Sequence, residues 1–326
     1  MTFGQDLVAD SLKGLSGLPV DPRLALLFPG QGSQKVGMGF EAWRSCPASR
    51  KVYEAADRAL QIDLSRLCFD GPDEELTRTI NAQPAILVTS LAYLVAALES
   101  GALDHRPAYL AGHSLGEYPA LVVAGSITFE DAVRLVRERG RLMEKAGAEN
   151  AGTMAAIVGL TADQVTTVCR LSEAEPCNFN ARTQIVVGGR PDAVERACAL
   201  AKEAGGRGLQ MNVAGAFHTS LMEPAAQEFH QALSGVHFAD PVTPVVGNVT
   251  ATAMARAAEC MSDLGRQIAM PVLWHQSILR MCEAGVRTFS ELGPGRALTT
   301  MLRRDAPDLT LISLDGPAVI GSATNV

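Results

Sequence analysis

The sequence predicts an α/β chain: a layered fold with a mainly parallel sheet, interrupted by a smaller α+β unit. Three observations carry this. Short apolar runs at residues 24–28 and 108–111 each lead into a glycine-bearing loop and alternate with helical segments, the pattern of a parallel sheet. Between Gly147 and Ala216 the rhythm shortens to brief strands and two helices, which suits an inserted unit of ferredoxin-like type. After His218 long helices and short apolar strands return.

Taken in order, Leu24-Ala25-Leu26-Leu27-Phe28 is a buried strand stopped by Pro29-Gly30. Residues 83–98 are apolar at helical spacing with no breaker after Pro84, which predicts a core helix. Residues 108–111 form a strand, 117–123 a helix, and 129–145 a longer amphipathic helix. The inserted unit is read as strands at 153–158, 184–189 and 208–213 with helices at 161–171 and 191–204. Residues 244–248 are a further short strand. The expected organisation is an N-terminal extension at 1–22, a discontinuous large domain at 23–149 and 215–315, a small domain at 150–214, and a tail of small residues at 316–326. Leu7, Val8, Leu12 and Leu15 can form one face of a short helix, and the extension is expected to be frayed or docked on the surface rather than a functional docking element.

Composition excludes several functions. A formal charge of −7 over 326 residues, with only short basic runs (134–141, 303–304), argues against a nucleic-acid grip. Seven cysteines are scattered without CxxC pairs, as in a reduced cytoplasmic protein without a zinc site. No apolar run is expected to span a membrane, and Asp6 and Asp10 break up the N-terminus too much for a signal peptide. With no long apolar surface helix evident, a monomer is expected.

The most informative segment is Tyr109-Leu110-Ala111-Gly112-His113-Ser114-Leu115-Gly116-Glu117-Tyr118, a strand entering a Gly-x-Ser-x-Gly turn that opens a helix. Such a turn lifts a serine hydroxyl above the sheet and aims the helix's free N–H groups at it. The glycines are needed because a Cβ at either position would meet the adjoining strand or helix. Ser114 is therefore the candidate nucleophile, and it requires a base. His113 is adjacent but should point away. His218 lies in the small-residue loop Val213-Ala214-Gly215-Ala216-Phe217-His218, where an imidazole has room; spacing alone favours it only modestly over His230 and His275.

Phe28-Pro29-Gly30-Gln31-Gly32-Ser33-Gln34, Gly112-His113-Ser114-Leu115-Gly116-Glu117-Tyr118, Arg139-Gly140-Arg141-Leu142-Met143, Gly215-Ala216-Phe217-His218 and Glu291-Leu292-Gly293-Pro294-Gly295 occur in that order. Together they resemble the malonyl-CoA:acyl carrier protein transacylase family, including free-standing acyltransferases of polyketide synthesis, over roughly residues 24–315. The resemblance implies an α/β-hydrolase-like large domain with a ferredoxin-like small one, and malonyl transfer through an acyl-serine. It implies Ser114 as nucleophile, His218 as base, and the backbone N–H groups of Gln31 and Leu115 as oxyanion hole. Arg139 would clamp the malonyl carboxylate with a bidentate fork that lysine could not reproduce, and Gln83 would line the site. Family members orient the histidine through a backbone carbonyl, and Asn248 takes the matching position, with Asp240 as a rival. Acyl carrier protein and malonyl-CoA are the implied partners, with no metal or redox cofactor. Phe217, and Leu115 beside the serine, match malonyl-type members; a ring at 217 fills the space of an α-methyl, a discrimination of about 1–3 kcal/mol.

The departures are Pro119 early in the helix after Ser114, Ala181-Arg182-Thr183 in place of Ser-Pro-Gly, and a longer N-terminal extension that suggests a specialised pathway. Arg182 is either a carrier or CoA contact or an idle surface residue. The alternatives to malonyl transfer are a hydrolase that clears stalled carriers, a transferase of a different acyl group, and a non-catalytic carrier-binding subunit.

Overall fold

A computed structural model of the chain describes residues 7–306 and 308–316. The first six residues of the extension, Pro307, the tail beyond Gly316, and the side chains of Leu7, Ala9 and Arg304 lie outside the described residues. The strands are β1 (Val20–Phe28), β2 (Arg106–Gly112), β3 (Thr153–Val158), β4 (Glu175–Ala181), β5 (Gln184–Gly189), β6 (Arg207–Gln210), β7 (Val245–Val246), β8 (Ala253–Met254), β9 (Thr288–Leu292) and β10 (Thr310–Leu314).

Six strands form the main sheet in the order β10-β9-β1-β2-β7-β8, parallel except for the short β8. Leu24 to Phe28 lie at its centre and are buried on both faces, which is why they read as an uninterrupted apolar run. Ile312 on β10 is partly exposed, as suits an edge strand. The second sheet, β4-β5-β3-β6, is antiparallel, and helices Ala162–Ser172 and Pro191–Glu203 pack with it around a separate apolar cluster. Its β-α-β-β-α-β sequence and strand order are ferredoxin-like, as expected.

Sequence reading missed β4. Pro176, Asn178 and Asn180 disfavour a strand, yet an edge position tolerates a residue without an N–H. The chain turns at Arg182-Thr183 between β4 and β5. The third expected strand of this unit is shorter, ending at Gln210. A membrane-length run was also overlooked: helix Thr79–Ser100 has 22 residues and a mean hydropathy of 1.5, long and apolar enough to cross a membrane by those measures. Here 89% of its apolar window is buried inside the fold, so it is the central core helix. Pro84 falls within its first two turns and leaves the Ile80 carbonyl without that donor. The extension forms helix Leu7–Ser16, which packs through Val8 and Leu15 against helices Pro47–Leu60 and Thr79–Ser100.

Where β2 enters its turn the backbone segments pack with no room for a side chain. A Cβ on Gly112 would overlap the Gly116 carbonyl, and one on Gly116 would overlap the carbonyl of Phe28. A Cβ on Gly30 would lie 2.6 Å from the His113 carbonyl oxygen. The ends of β1 and β2 and the helix start therefore meet backbone to backbone. Gly116→Ala is expected to lower unfolding free energy by about 3 kcal/mol or more, measured by urea denaturation; an unchanged midpoint would contradict this packing.

Candidate active site

Ser114 stands at the end of β2 with φ = 50°, a conformation that non-glycine residues adopt only at a cost of roughly 1–2 kcal/mol. Two contacts brace it. Its N–H donates to Asn248 Oδ1 at 2.6 Å, and its carbonyl accepts from Gln267 Nε2 at 3.1 Å. A short 3₁₀ turn, Ser114–Gly116, leads into helix Glu117–Val123. Pro119 falls in the first turn of that helix, where a missing N–H is well tolerated.

His218 lies opposite, its Nε2 2.8 Å from Ser114 Oγ. It too has positive φ (62°). Its Nδ1 is 2.7 Å from the Gln267 carbonyl oxygen and its backbone N–H donates to Ile268, so the segment after helix Ala257–Gln267 fixes both ring and backbone. The Nδ1 contact with a carbonyl requires the proton on Nδ1, leaving the Nε2 lone pair for the serine. The same segment reaches the second sheet, where Val272 pairs with Cys177 and Phe179 of β4.

This corrects the expectation for Asn248. Its side chain accepts from Ser114 N–H and donates to the Gly112 carbonyl at 2.7 Å, so it braces the serine turn; the carbonyl on His218 is that of Gln267. Asp240, the rival, caps the helix start at Ala257 N–H. His113 turns away from the serine, with Nε2 2.8 Å from Asn180 Oδ1 and its ring edge-on to Trp274.

Arg139 is 1% exposed, yet among the described residues its guanidinium meets only neutral groups. Nη1 donates to Gln83 Oε1 at 2.8 Å, Nη2 donates to Gln267 Oε1 at 2.9 Å and to Ser114 Oγ at 3.0 Å, and the Tyr118 ring lies 5.7 Å away. Its Nε has no partner. Gln83 is wholly buried and its amide also meets Met143 Sδ. Gln31 lies on an exposed loop after β1, its side chain 3.3 Å from Thr79 Oγ1, and Gly30 holds this loop against His113. Leu115 and Phe217 are buried beside the serine and the histidine. Arg182 sits at the β4–β5 turn, where its backbone N–H donates to Asp305 at the end of helix Ala297–Asp305.

Two members of the site were not singled out from sequence. Gln267 ends a helix and has no local motif around it. Glu117 did have a signal, a carboxylate opening an otherwise apolar helix. It is wholly buried and accepts from Gln267 Nε2 at 2.7 Å; burial, then the nearby Asp263 charge, hold its carboxyl well above the usual range. For His218, burial first and the Arg139 charge second push the pKa down to about 3. Among the described residues, no group of three or more His, Cys, Asp or Glu is placed to hold a metal ion.

The parallel sheet, the strained serine and its paired imidazole define an α/β-hydrolase-like protein with a Ser–His centre. Residues 25–312 match the family described as the acyl transferase domain, and the chain belongs to that family. It is 41% identical over 304 residues to the malonyl CoA-acyl carrier protein transacylase of Bacillus subtilis (strain 168), covering 91% of this chain and 95% of that one. It is also 41% identical over 307 residues to the protein of that name from Escherichia coli K12, covering 92% and 98%. Among solved structures it resembles an acyl carrier protein S-malonyltransferase from Vibrio cholerae, with TM-score 0.88, 38% identity, and 93% and 100% of the two chains covered. A malonyl-transacylase solved with its type II PKS acyl-carrier protein gives TM-score 0.87, 37% identity and the same coverage.

With its proton taken up near 3 in the folded protein, against 6.5 ordinarily, His218 is neutral across the physiological range. Between those values the unfolded chain binds the extra proton, so this group's contribution to stability is full above pH 6.5 and declines as pH falls toward 3. The protonated imidazole cannot accept from Ser114. The acid limb of kcat/KM is therefore expected well below pH 6.5. In Arg139→Ala the His218 proton, followed by NMR, should titrate at higher pH. An unmoved titration would contradict the stated charge effect.

Proposed function

We propose that this protein transfers a malonyl group from malonyl-CoA to the phosphopantetheine thiol of an acyl carrier protein, through a malonyl ester on Ser114. The observation that carries this is Arg139. A buried guanidinium whose bonded partners are all neutral, its Nη2 against the serine hydroxyl, is a cation without a direct ion pair, and burial of that kind favours a bound anion. An acyl group ending in a carboxylate supplies the anion and fits the planar fork.

In the first half-reaction Ser114 Oγ attacks the thioester carbonyl as its proton passes to His218 Nε2. The developing oxyanion takes hydrogen bonds from the Gln31 and Leu115 N–H groups, for which the approach of the Gly30 loop to the elbow is the support. The C–S bond breaks, and the departing CoA sulfur receives the proton from His218. In the second half-reaction the carrier's thiol gives its proton to His218 and attacks the ester, and Ser114 leaves with that proton. The Gln267 carbonyl on Nδ1 steadies the imidazolium that forms twice in the cycle. Phe217, buried beside His218, narrows the space at the acyl α-carbon and favours malonyl over a branched homologue.

The reading as a carrier-directed hydrolase is disfavoured by Arg139, since clearing uncharged acyl groups gives a buried cation no use. The division into a small unit at 150–214 within a discontinuous large one is supported by the confinement of the second sheet to β3–β6. Seven free cysteines support a reducing, cytoplasmic setting. We expect a monomer.

Intact-mass measurement after mixing with malonyl-CoA or acetyl-CoA, followed by a carrier protein, tests the reading. A malonyl adduct that moves to the carrier is expected, and Ser114→Ala should form none; an adduct persisting in that variant would place the nucleophile elsewhere. Arg139→Ala should slow malonyl transfer by about 100-fold or more while changing acetyl transfer by less than about tenfold. Equal losses would remove the carboxylate clamp.

A further inference from the structure

Glu117 takes no part in the proton transfers above, yet it is wholly buried three residues after Ser114. Its Oε2 accepts from Gln267 Nε2 at 2.7 Å and from the Asn248 backbone N–H at 3.2 Å. The Gln267 amide is the pivot between this carboxyl and the substrate side of the site. Its Nε2 also donates to the Ser114 carbonyl, and its Oε1 accepts from Arg139 Nη2 at 2.9 Å.

An amide can be flipped end for end, and the two orientations differ only in which end donates. Guanidinium nitrogens only donate, so the end facing Arg139 must be oxygen. Nothing in Gln267 itself enforces that choice. Glu117, with the shorter contact, and the Ser114 carbonyl enforce it together, because in the flipped state Oε1 would face both of their oxygens and an NH₂ group would face the guanidinium. The second carboxyl oxygen, Oε1, is buried with no partner, so the network uses one accepting oxygen of Glu117.

We propose that Glu117 is a positioning residue for acyl selectivity: by accepting a hydrogen bond from Gln267 it locks that amide with its oxygen on Arg139, and so keeps the guanidinium fork aligned on Ser114. This rests on the malonyl-transfer reading. The accepting oxygen carries the effect and the negative charge does not. A glutamine at this position presents the same acceptor at the same reach. An aspartate keeps the carboxyl but falls one methylene short of Gln267.

The test compares full-length wild type, Glu117→Gln and Glu117→Asp, measuring kcat and KM with malonyl-CoA and with acetyl-CoA and following thermal unfolding. Glu117→Gln should hold the malonyl-CoA KM within about threefold of wild type. Glu117→Asp should raise it by about tenfold or more while the acetyl-CoA KM stays within about threefold. The proposal is overturned if Glu117→Gln loses malonyl selectivity as far as Glu117→Asp does, if neither variant changes it, or if both substrates decline together in step with stability. A wild-type protein that accepts acetyl but no malonyl group would instead overturn the malonyl-transfer reading, and this inference with it.

Discussion

A guanidinium buried without a bonded carboxylate governs the chemistry of this cleft. Removing Arg139 from water costs several kcal/mol that its neutral partners offset only in part. Gln83 and Gln267 supply amide oxygens, the Tyr118 ring lies against the cation, and Glu117 adds a carboxyl one residue further out. None of these closes an ion pair, so the positive field remains directed at the serine. The same field lowers the basicity of His218, keeping the imidazole neutral and ready to accept a proton. Clamp and base are thus one electrostatic unit, joined through the side chain and carbonyl of Gln267.

Backbone geometry is the second constraint. Ser114 and His218, the two residues whose side chains meet, both hold left-handed backbone conformations. Such strain persists where the surroundings over-determine it. For Ser114 these are Asn248, Gln267 and the glycine contacts around Gly112 and Gly116; for His218 they are Gln267 and Ile268. The segment after Gln267 also pairs with β4, so the second sheet and the histidine are held by one stretch of chain.

Much of this was legible because its signals are local. A run buried on both faces, as in β1, is apolar throughout, and the Gly-x-Ser-x-Gly turn carries its steric reason in adjacent positions. Where a signal was local but ambiguous, reading failed in part: the proline and asparagines of β4 obscured an edge strand, and the apolar run at 83–98, correctly read as a core helix, was held too short to span a membrane although the helix runs over Thr79–Ser100. Asn248 was misassigned because its side chain and the carbonyl on His218 belong to different segments that meet only at the elbow.

What the sequence by itself determined is the set of chemical groups: a serine in a turn only glycines permit, a histidine in a small-residue loop, and an arginine within a motif. Residue type and short-range sterics suffice for that. Tertiary structure alone decided their electrical state and their supports. Burial of Arg139, the lowered basicity of His218 and the orientation of the Gln267 amide depend on desolvation and on contacts between residues far apart in the chain. Those contacts form only when the helices and both sheets close around Ser114, and so no local pattern encodes them.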